Sequence, residues 1–180
     1  MVNYKVRKAT LDDVKSMSIA LSESYRDTHS SYRPIEDVER TIERNYTVDA
    51  LRKTFEDEHW NGYYIAVQDC GLVLGAGGAA FQPPESSQLY VIYVHPEHRY
   101  KGIGRRLLAS ITEEVMAQGA KEMWVSVEPQ NMKGIPFYEA RGFALKETRG
   151  AYAGTDENGK PIFDEAHQML RFCREIGQGV

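Results

Sequence analysis

The sequence predicts an α/β protein in which a mixed central sheet is flanked by helices. Apolar, strand-like runs alternate with amphipathic helical segments through the middle of the chain, and pairs of strands joined by polar turns lie near both ends. The length of 180 residues, 42% of them hydrophobic, suits one compact domain with a sizeable core. We therefore expect residues 1–180 to form a single domain.

The first half of the chain is predicted to contain a strand, two helical regions and a strand pair. These elements are a strand over residues 3–10, a helix over 11–25, a polar helical region over 35–58 in one or two pieces, and two strands within 62–81. Thr10 is placed to cap the first helix, because two acidic residues follow in the first turn, where the helix dipole favours negative charge. Pro34 interrupts the helical pattern, and Asp69–Gly71 gives the turn signal of a hairpin.

The second half is predicted to alternate strands and helices before a final strand pair. The elements are a strand over residues 88–94, a helix over 102–118, a strand over 122–128, a short helix over 132–141, and strands over 143–150 and 165–173. Gly119 and Gly142 are placed to end the two helices, since glycine adopts the left-handed conformation that is common after a last helical turn. The strand over 88–94 is apolar and aromatic, which is typical of a central strand.

Composition and charge exclude several classes of protein. The formal net charge is −4 and the pI is about 5.8, so no global positive field attracts nucleic acid, and we expect no nucleic-acid partner. The longest apolar run is about half the length that a membrane-spanning helix needs, and no secretory leader is recognisable, so we expect no membrane partner. Cys70 and Cys173 form no metal-binding pattern, and we expect reduced thiols in a cytoplasmic protein.

The segment HRYKGIGRR, between a predicted strand and a predicted helix, is suited to binding an anion. Amides at a helix N-terminus are unpaired and carry partial positive charge, and Gly102 and Gly104 let the backbone come close to a phosphate. Four basic residues add charge: Arg99, Lys101, Arg105 and Arg106. The spacing matches neither a Walker A loop nor the dinucleotide-binding fingerprint. A tight turn with a solvated basic rim and a local nucleic-acid patch are the alternatives at this point.

Two motifs resemble those of the GCN5-related N-acetyltransferases, the GNAT family. The stretch RYKGIG, residues 99–104 (the glycine loop), matches their [QR]-x-x-G-x-[GA] signature, with a predicted strand before it and a helix after it. A second block, NMKGIPFYEARGF at residues 131–143, is similar to another hallmark, in which an asparagine precedes an aromatic–tyrosine pair and a Gly-Phe. The N-terminal VRKATLDDV also resembles the family's opening strand and helix, so the resemblance covers essentially the whole chain.

The resemblance implies a GNAT fold, in which acetyl-coenzyme A binds where two parallel strands of a mostly antiparallel sheet splay apart, here 88–94 and 122–128. Main-chain groups near Ile92 and Val94 then pair with the pantetheine arm, and the amides of residues 100–105 hold the pyrophosphate. The implied coenzyme-site residues are Ile92, Tyr93, Val94, Arg99, Tyr100, Lys101, Gly102, Ile103, Gly104, Arg105, Asn131 and Tyr138, with no metal. For Asn131, a simple helix cap is the alternative role.

The implied reaction is direct attack of an amine on a thioester, which needs a proton acceptor and a proton donor. An alkyl ammonium has a pKa near ~10.4 and must lose a proton before it attacks. Tyr138 matches the family position for the acid that protonates the leaving thiolate, although without its motif it would be interpreted as an aromatic anchor. Candidates for the base are Glu128, Glu85 and the hydroxyl of Tyr90. Glu128 shares a strand face with Trp124 and can point into the cleft, while a carboxylate at a strand end is also ordinary.

The resemblance places the acceptor pocket between residues 24–55 and 150–161. The first region carries Tyr25, His29 and Tyr32 and vaguely resembles the same part of bacterial polyamine acetyltransferases, so a small cationic amine such as a polyamine is the expected acceptor. Four acidic residues of this region either receive that amine or form the solvated face of a helix: Glu36, Asp37, Glu39 and Glu43.

Several alternatives stay open. A protein or peptide N-terminus, or a lysine side chain, is the main alternative acceptor. A non-catalytic module that binds acetyl-coenzyme A is a further one, although Tyr138 and the glycine loop are both present. A homodimer through the final strands is compatible with the apolar alternation around Cys173. His95, which precedes a proline, is interpreted as a surface or capping histidine.

Overall fold

The computed structural model describes residues 3–57 and 60–177, which contain seven strands and five α-helices. The strands are β1 (Lys5–Lys8), β2 (Tyr64–Val67), β3 (Val73–Gln82), β4 (Ser86–Val94), β5 (Glu122–Val127), β6 (Ala144–Thr155) and β7 (Pro161–Glu175). The helices are α1 (Val14–His29), α2 (Ile35–Asn45), α3 (Val48–Thr54), α4 (Ile103–Ala117) and α5 (Gly134–Glu139), and two 3-10 turns span Leu11–Asp13 and Pro96–His98. Among the described residues, no helix combines the length and the apolar character needed to cross a bilayer.

A mixed sheet contains the strands in the order β1-β2-β3-β4-β5-β7-β6. Every neighbouring pair is antiparallel except β4 and β5, which run parallel. The pairing of β4 with β5 covers Ser86–Leu89 against Glu122–Val125. Beyond it, β4 continues along β3 as far as Val94, while β5 continues along β7, so the two strands diverge. The sheet therefore confirms the predicted fold class and its splayed parallel pair.

Helices cover both faces of the sheet because each has an apolar stripe at helical spacing. On one face, α1 buries Val14, Met17 and Leu21 in a core that also includes side chains of β2, β3, α2 and α3. On the other face, α4 buries Leu108 and Ile111 against β4, β5 and α5. The ends of α1 and of β4 consequently meet beside the loop that precedes α4.

Close packing explains the glycines of β3. A Cβ at Gly75 would lie 2.7 Å from the carbonyl oxygen of Tyr93, and a Cβ at Gly77 would lie 2.9 Å from Cδ1 of Ile111. The pairing with β4 shifts register after Gly78. β4 is therefore held tightly along β3, which positions Tyr93 at the edge of the splay.

The end of α1 differs from the prediction in a way that shapes the site. The helix continues to His29, about one turn beyond the predicted end at residue 25. The last turn is polar and so gives no apolar periodicity, but its Thr28 hydroxyl is satisfied by the carbonyl of Ser24 at 2.8 Å. The extra turn carries Asp27, Thr28 and His29 to the splay of the sheet.

Two other regions also differ from the prediction. The helical region after Pro34 is divided into α2 and α3, and Thr47 caps α3 by accepting from the amide of Ala50 at 3.2 Å; the predicted end at residue 58 lies outside the described residues. The final hairpin is longer than predicted, because register shifts near Gly150 and Gly154 break the alternation that marks a strand.

Candidate active site

A cleft of about 890 Å³ opens where β4 and β5 diverge. Its walls come from the end of α1, the glycine loop, α5 and the final hairpin. The predicted site residues that line it are Ile92, Tyr93, Val94, Arg99, Tyr100, Gly102, Ile103, Gly104, Arg105, Glu128, Asn131 and Tyr138. Lys101 is the exception, because its ammonium turns away and donates to the carbonyl oxygen of Glu97 at 2.9 Å.

The main-chain amides of residues 100–105 form the part of the cleft best suited to an anion. Within the described residues, none of these amides donates a main-chain hydrogen bond. Gly102 takes a left-handed backbone with φ +78° immediately before α4, and a Cβ at Gly104 would lie 2.9 Å from Cε2 of Phe137. Unpaired amides at a helix N-terminus with a backbone open to close approach bind phosphate groups. The residues present therefore fit the pyrophosphate of coenzyme A, and this part of the cleft is the coenzyme end.

Arg99 ties the glycine loop to the last turn of α1. Its guanidinium pairs with the carboxylate of Asp27 and donates to Thr28 Oγ1 at 3.3 Å, while Nε donates to the carbonyl of Val94 at 3.2 Å. Asp27 also accepts from the ammonium of Lys133 at 2.6 Å. The hydrogen bond from Lys133 lowers the pKa of the Asp27 carboxyl, and that from Arg99 lowers it further, against the opposing effect of burial. A contact from the Arg99 side chain to the coenzyme stays a prediction.

The strand edge and the loop after β5 complete the coenzyme end. The main chain of β4 beyond Leu89 faces the splay, and Ile92 and Val94 lie on this stretch. Asn131 lines the cleft, and its Oδ1 also accepts from the amide of Gly134, the first residue of α5, at 2.8 Å, although the N-cap of that helix is Lys133. Pro136 lies in the first turn of α5, where its missing N–H is tolerated.

Tyr138 lines the cleft from α5 with its ring buried. The ring packs edge-on against Phe137 and Phe143, with centroid separations of 5.2 and 5.6 Å. Burial raises the pKa of the Tyr138 phenol above its ordinary value. The hydroxyl is therefore protonated at neutral pH and can donate a proton to a leaving thiolate, which is the role that the motif predicts.

Away from the glycine loop, the cleft contains a hydrogen-bonded group of four side chains, His29, Tyr32, Tyr93 and Glu128 (the His29 cluster). Nδ1 of His29 lies 2.9 Å from Oε2 of Glu128, and the Tyr32 hydroxyl donates to the same oxygen at 3.1 Å. Nε2 of His29 lies 2.9 Å from the Tyr93 hydroxyl. Nε of Arg33 lies 3.7 Å from Oε1 of Glu128. Side chains from α1, β4 and the loop after β5 therefore meet at one imidazole, and this part of the cleft is the acceptor end.

The surroundings of Glu128 keep its carboxyl ionised. Burial alone would raise the pKa of Glu128, but the hydrogen bond from His29 and the charge that His29 carries when protonated, followed by the charge of Arg33 and the hydrogen bond from Tyr32, hold it below its usual value. Burial raises the pKa of the Tyr93 phenol well above the ordinary value, and burial together with the Glu128 charge raises that of Tyr32. At neutral pH the His29 cluster thus contains one carboxylate and two neutral phenols.

The other two candidate bases lie differently. Glu85 pairs with Lys121 and lies outside the cleft, so the structure removes it as a base. Tyr90 does line the cleft, is exposed, and its hydroxyl accepts from Nε2 of Gln82 at 3.2 Å. Of the two predicted carboxylates, Glu128 lines the cleft. It forms a hydrogen bond with His29, a residue that the sequence analysis assigned only to the acceptor region.

The acidic residues of α2 do not line the cleft. Glu39 pairs with Arg26 at 2.6 Å and Asp37 with Arg40 at 2.7 Å, on the solvated face that was the alternative interpretation. The acceptor end is lined instead by residues that the sequence did not single out: Arg33, Arg44, Tyr152, His167 and Met169. No local pattern marks these residues, because the hairpin and the link between α1 and α2 come together only in the folded chain.

His95 has the capping role predicted for it. Its Nδ1 accepts from the amide of Glu97 at 3.4 Å, and its Nε2 lies 2.5 Å from Glu23. Ligand atoms of His95, Glu97 and His98 lie within 4.8 Å of one another, but the Glu23 contact occupies one of them. The imidazole of His95 is therefore explained by the turn that it caps and the helix that it contacts.

The fold and the cleft define an enzyme that transfers an acyl group from coenzyme A. The chain belongs to the GNAT family, because the model of the acetyltransferase (GNAT) family matches residues 19–143. The protein is accordingly an N-acetyltransferase, and acetyl-coenzyme A is its acetyl donor.

Relatives differ in the acceptors that their names give. An N-acetyltransferase of Bacillus subtilis, YuaI, is 34% identical over 75% of this chain and 77% of its own length. The L-amino acid N-acyltransferase MnaT of Escherichia coli is 30% identical over 58% of this chain and 64% of its own. A spermidine N(1)-acetyltransferase of Thermoplasma acidophilum is 23% identical over 83% of this chain and 94% of its own length. The family is shared, while the acceptor is not common to these proteins.

The fold also matches a solved structure of a coenzyme complex. The crystal structure of the PaiA N-acetyltransferase of Thermoplasma acidophilum with coenzyme A superposes with a TM-score of 0.78. The match covers 97% of this chain and 100% of that chain at 20% identity. At this identity the likeness shows the fold.

Proposed function

We propose that this protein, acting as a single domain over residues 1–180, acetylates a small primary amine that also carries a carboxylate, as an amino acid does. The observation that carries this proposal is the pair of arginines, Arg33 and Arg44, that line the acceptor end. Arginine is the side chain best suited to hold a carboxylate, because its planar guanidinium can donate two parallel hydrogen bonds.

The charges around the acceptor end support an anionic group on the acceptor. Nη1 of Arg33 donates to the Tyr25 hydroxyl at 2.6 Å, and Tyr25 and Arg44 line the same cleft as Arg33. Glu128 is the acidic side chain among the described residues that line the cleft, and His29 and Tyr32 already occupy its Oε2. An amine with a nearby carboxylate can place its ammonium toward Glu128 and its carboxylate toward the arginines.

The reaction needs one group on each side of the reacting carbon. Coenzyme A presents the acetyl group as a thioester. The amine nitrogen attacks the carbonyl carbon, and its proton leaves toward the His29 cluster. Tyr138, on α5, protonates the departing sulfur. The pairing of a buried phenol with an ionised cluster across one cleft supports direct transfer from donor to amine.

A polyamine is the second candidate acceptor. The Glu128 carboxylate and the spermidine relative favour it, whereas the two arginines oppose a second or third positive charge. A protein N-terminus or lysine would instead need a groove that continues beyond the cleft. A cytoplasmic location, a homodimer through the final strands and the absence of nucleic-acid and metal partners stay predictions.

A thiol-release assay with acetyl-coenzyme A separates these acceptors. Each amino acid is paired with its decarboxylated amine, for example phenylalanine with phenethylamine, and spermidine, spermine and peptides that start with the same residue complete the panel. We expect the carboxylate to raise kcat/KM at least about tenfold, equivalent to about 1.4 kcal/mol. A higher rate with spermidine, or with the decarboxylated amine, would refute the carboxylate proposal.

Two arginines of α2 provide a matched pair of variants. Arg44→Gln removes a guanidinium that lines the cleft, and Arg40→Gln removes one that pairs with Asp37 outside it. We expect Arg44→Gln to reduce the preference for the carboxylate by about tenfold. Arg40→Gln is the control and should leave that preference unchanged. Equal effects of the two variants would show that general surface charge, rather than a site, attracts the carboxylate.

A further inference from the structure

We propose that His29 accepts the proton of the attacking amine, that the proton reaches its Nε2 through the hydroxyl of Tyr93, and that Glu128 is a positioning residue that holds the imidazole. This inference concerns the site of the proposed function but rests on acetyl transfer to an amine alone, whether or not the acceptor carries a carboxylate. It replaces direct proton removal by Glu128 with a relay of three side chains.

The hydrogen bonds assign the protons on the imidazole. Both the Tyr32 hydroxyl and Nδ1 of His29 face the ionised Glu128, at 3.1 and 2.9 Å from Oε2, and a carboxylate can accept but not donate. The Tyr32 oxygen also lies 2.7 Å from Nδ1, but an Nδ1 without hydrogen would place two acceptors 2.9 Å apart, so the Tyr32 hydrogen goes to Oε2. Nδ1 therefore carries the hydrogen of the neutral ring. Nε2 is left as an acceptor, and the hydroxyl 2.9 Å away, that of Tyr93, donates to it.

The position of Tyr93 connects this imidazole to the reacting carbon. Tyr93 lies between Ile92 and Val94, the part of β4 that faces the splay where the thioester is expected. Its hydroxyl gives its hydrogen to His29 and keeps a lone pair that can accept from an ammonium. Tyr138, the proposed proton donor, lines the same cleft as Tyr93.

The immediate surroundings of His29 suit a ring that gains a proton briefly. The imidazole is 6% exposed and stacks on Tyr25, with centroids 4.0 Å apart. The titratable and charged groups that face it are Tyr25 from α1, Tyr32 and Arg33 from the link to α2, Tyr93 from β4 and Glu128 after β5. Glu128 compensates the charge of an imidazolium directly, whereas the guanidinium opposes it from the far side of the carboxylate.

The proton step balances without any further reactant. An N–H bond of the ammonium breaks as an O–H bond forms on Tyr93, and the original hydrogen of Tyr93 moves to Nε2 of His29. Tyr93 ends as a neutral phenol, His29 ends as an imidazolium paired with Glu128, and the amine keeps the electron pair that attacks the carbonyl carbon. The imidazolium later returns its proton to solvent.

Glu128 is the weaker choice as the direct base. Its pKa lies below the usual carboxyl range despite burial, so it has little affinity for a proton that an amine holds with a pKa near ~10.4. Histidine is the side chain that most often acts as a general base in enzymes. The carboxylate instead fixes the tautomer and stabilises the imidazolium, as acidic partners of catalytic histidines do.

Activity measurements against pH test the relay with whichever amine the acceptor panel identifies. His29→Gln and Tyr93→Phe should each lower kcat about 10²-fold, because general-base catalysis contributes on that order, and acetyl-coenzyme A affinity should stay unchanged. The decrease of kcat at acid pH in the wild type should be absent from His29→Gln and shifted to lower pH in Glu128→Gln. Tyr46→Phe is the matched control for Tyr93→Phe, since its ring packs 6.3 Å from that of Tyr93 outside the hydrogen-bond chain, and it should change kcat by less than about twofold.

Two results would overturn the relay. One is an unchanged acid limb in His29→Gln, and the other is an equal loss of kcat in Tyr46→Phe and Tyr93→Phe. A weakly basic acceptor analogue, already neutral at the assay pH, should restore the rate of Tyr93→Phe, whereas a structural defect would persist. Nitrogen-15 NMR of the free enzyme tests the same proposal without an acceptor, because the relay requires hydrogen on Nδ1, and hydrogen on Nε2 would contradict it.

Discussion

The coenzyme end and the acceptor end of the cleft are built from different parts of the chain. The coenzyme end uses the main-chain amides of residues 100–105, which are consecutive and stand at the start of one helix. The acceptor end uses side chains of His29, Tyr93 and Glu128, which come from α1, β4 and the loop after β5. The coenzyme end is formed by consecutive backbone amides, and the acceptor end is formed by side chains that are far apart in the sequence.

The difference teaches where each end is vulnerable. A site built from amides tolerates many side-chain changes but not changes that move or fill the backbone cradle. A site built from a hydrogen-bond chain loses its action when any one donor or acceptor is removed. Substitutions at the coenzyme end should therefore change binding, whereas those at the acceptor end should change turnover.

Tyr138→Phe should give the largest effect and separates turnover from binding. The substitution removes the proton donor while keeping the ring between Phe137 and Phe143. We expect kcat to fall by about 10²-fold or more, with the acetyl-coenzyme A Kd within about twofold of wild type. Steady-state kinetics and calorimetric titration measure the two quantities.

Tyr64→Phe provides the control for Tyr138→Phe. Its hydroxyl donates to Glu114 at 3.0 Å and Tyr64 lies outside the cleft, so turnover should be unchanged. If Tyr138→Phe instead turned over at the wild-type rate, the phenol would be an anchor for α5 and the acid would have to be sought elsewhere.

Gly104→Ala should weaken coenzyme binding about tenfold with a smaller change in kcat. A Cβ there would lie 2.9 Å from Cε2 of Phe137, so α5 or the loop must move away from the anion cradle. Gly102→Ala is the comparison. A Cβ at Gly102 would meet nothing within 4 Å, but the backbone there has φ +78°, which strains any residue with a Cβ. Gly102→Ala should lower the free energy of unfolding by about 1–2 kcal/mol, and it should raise the coenzyme Kd less than Gly104→Ala does. The reverse order of Kd changes would show that backbone strain, rather than space, limits the cradle.

The sequence predicts the coenzyme end because everything that defines it is local. The glycine loop, the strand before it and the helix after it occupy one stretch of chain, and their periodicities predict the same junction that the structure contains. Asn131 and Tyr138 belong to a second local motif. The acceptor end has no such signal, because His29 is 64 residues from Tyr93 and 99 from Glu128, and only the order of the strands brings them together.

Charge alone also failed to predict the direction of side chains. Arg99 lines the cleft and also pairs with Asp27 on α1, whereas Lys101 donates to a carbonyl of the preceding turn. The partner on α1 was not predicted, because the last turn of that helix lacks apolar periodicity. The carboxylates of α2 were likewise available by composition but face solvent and neighbouring arginines.

Arg99→Gln tests whether the two ends are mechanically connected. Arg99 joins the glycine loop to Asp27 and Thr28, in the same helical turn that ends at His29. We expect a loss of about 1–2 kcal/mol in unfolding free energy, since hydrogen bonds to charged groups are lost at a partly buried site. Acetyl-coenzyme A affinity should also fall a few-fold. Denaturant unfolding and titration measure the two effects.

A double-mutant cycle identifies the cause of the Arg99 effect. Asp27→Asn should account for most of the same loss, so that the two substitutions together cost less than their sum. Arg106→Gln is the control for loss of a guanidinium near the glycine loop, because Arg106 stacks over Tyr4, 4.9 Å from the ring centroid, and does not contact Asp27. Its effect should add to that of Asp27→Asn. Additive effects of Arg99→Gln and Asp27→Asn would mean that the loop and α1 are held independently.

Substitution of Asp13, which lies outside the cleft, should have the smallest effect on activity, and its pH dependence distinguishes a local response of the acceptor end from unfolding. The hydrogen bonds from Arg7, with those from Thr10, lower the pKa of Asp13 to about 2 despite burial. A carboxyl whose folded pKa is depressed stabilises the fold above its unfolded pKa, and that contribution is lost as pH falls from about 4 toward about 2. Asp13→Asn should therefore cost about 1–2 kcal/mol at pH 7 and almost nothing near pH 2. Chemical denaturation at several pH values measures this difference.

The loss of the Asp13 contribution occurs between about pH 4 and pH 2, below the pH at which turnover should decline. The wild-type enzyme should therefore remain folded where its turnover declines, and that decline then belongs to the acceptor end. If the protein instead unfolded over the same pH range in which turnover is lost, unfolding would explain the loss, and the loss could not be assigned to the acceptor end.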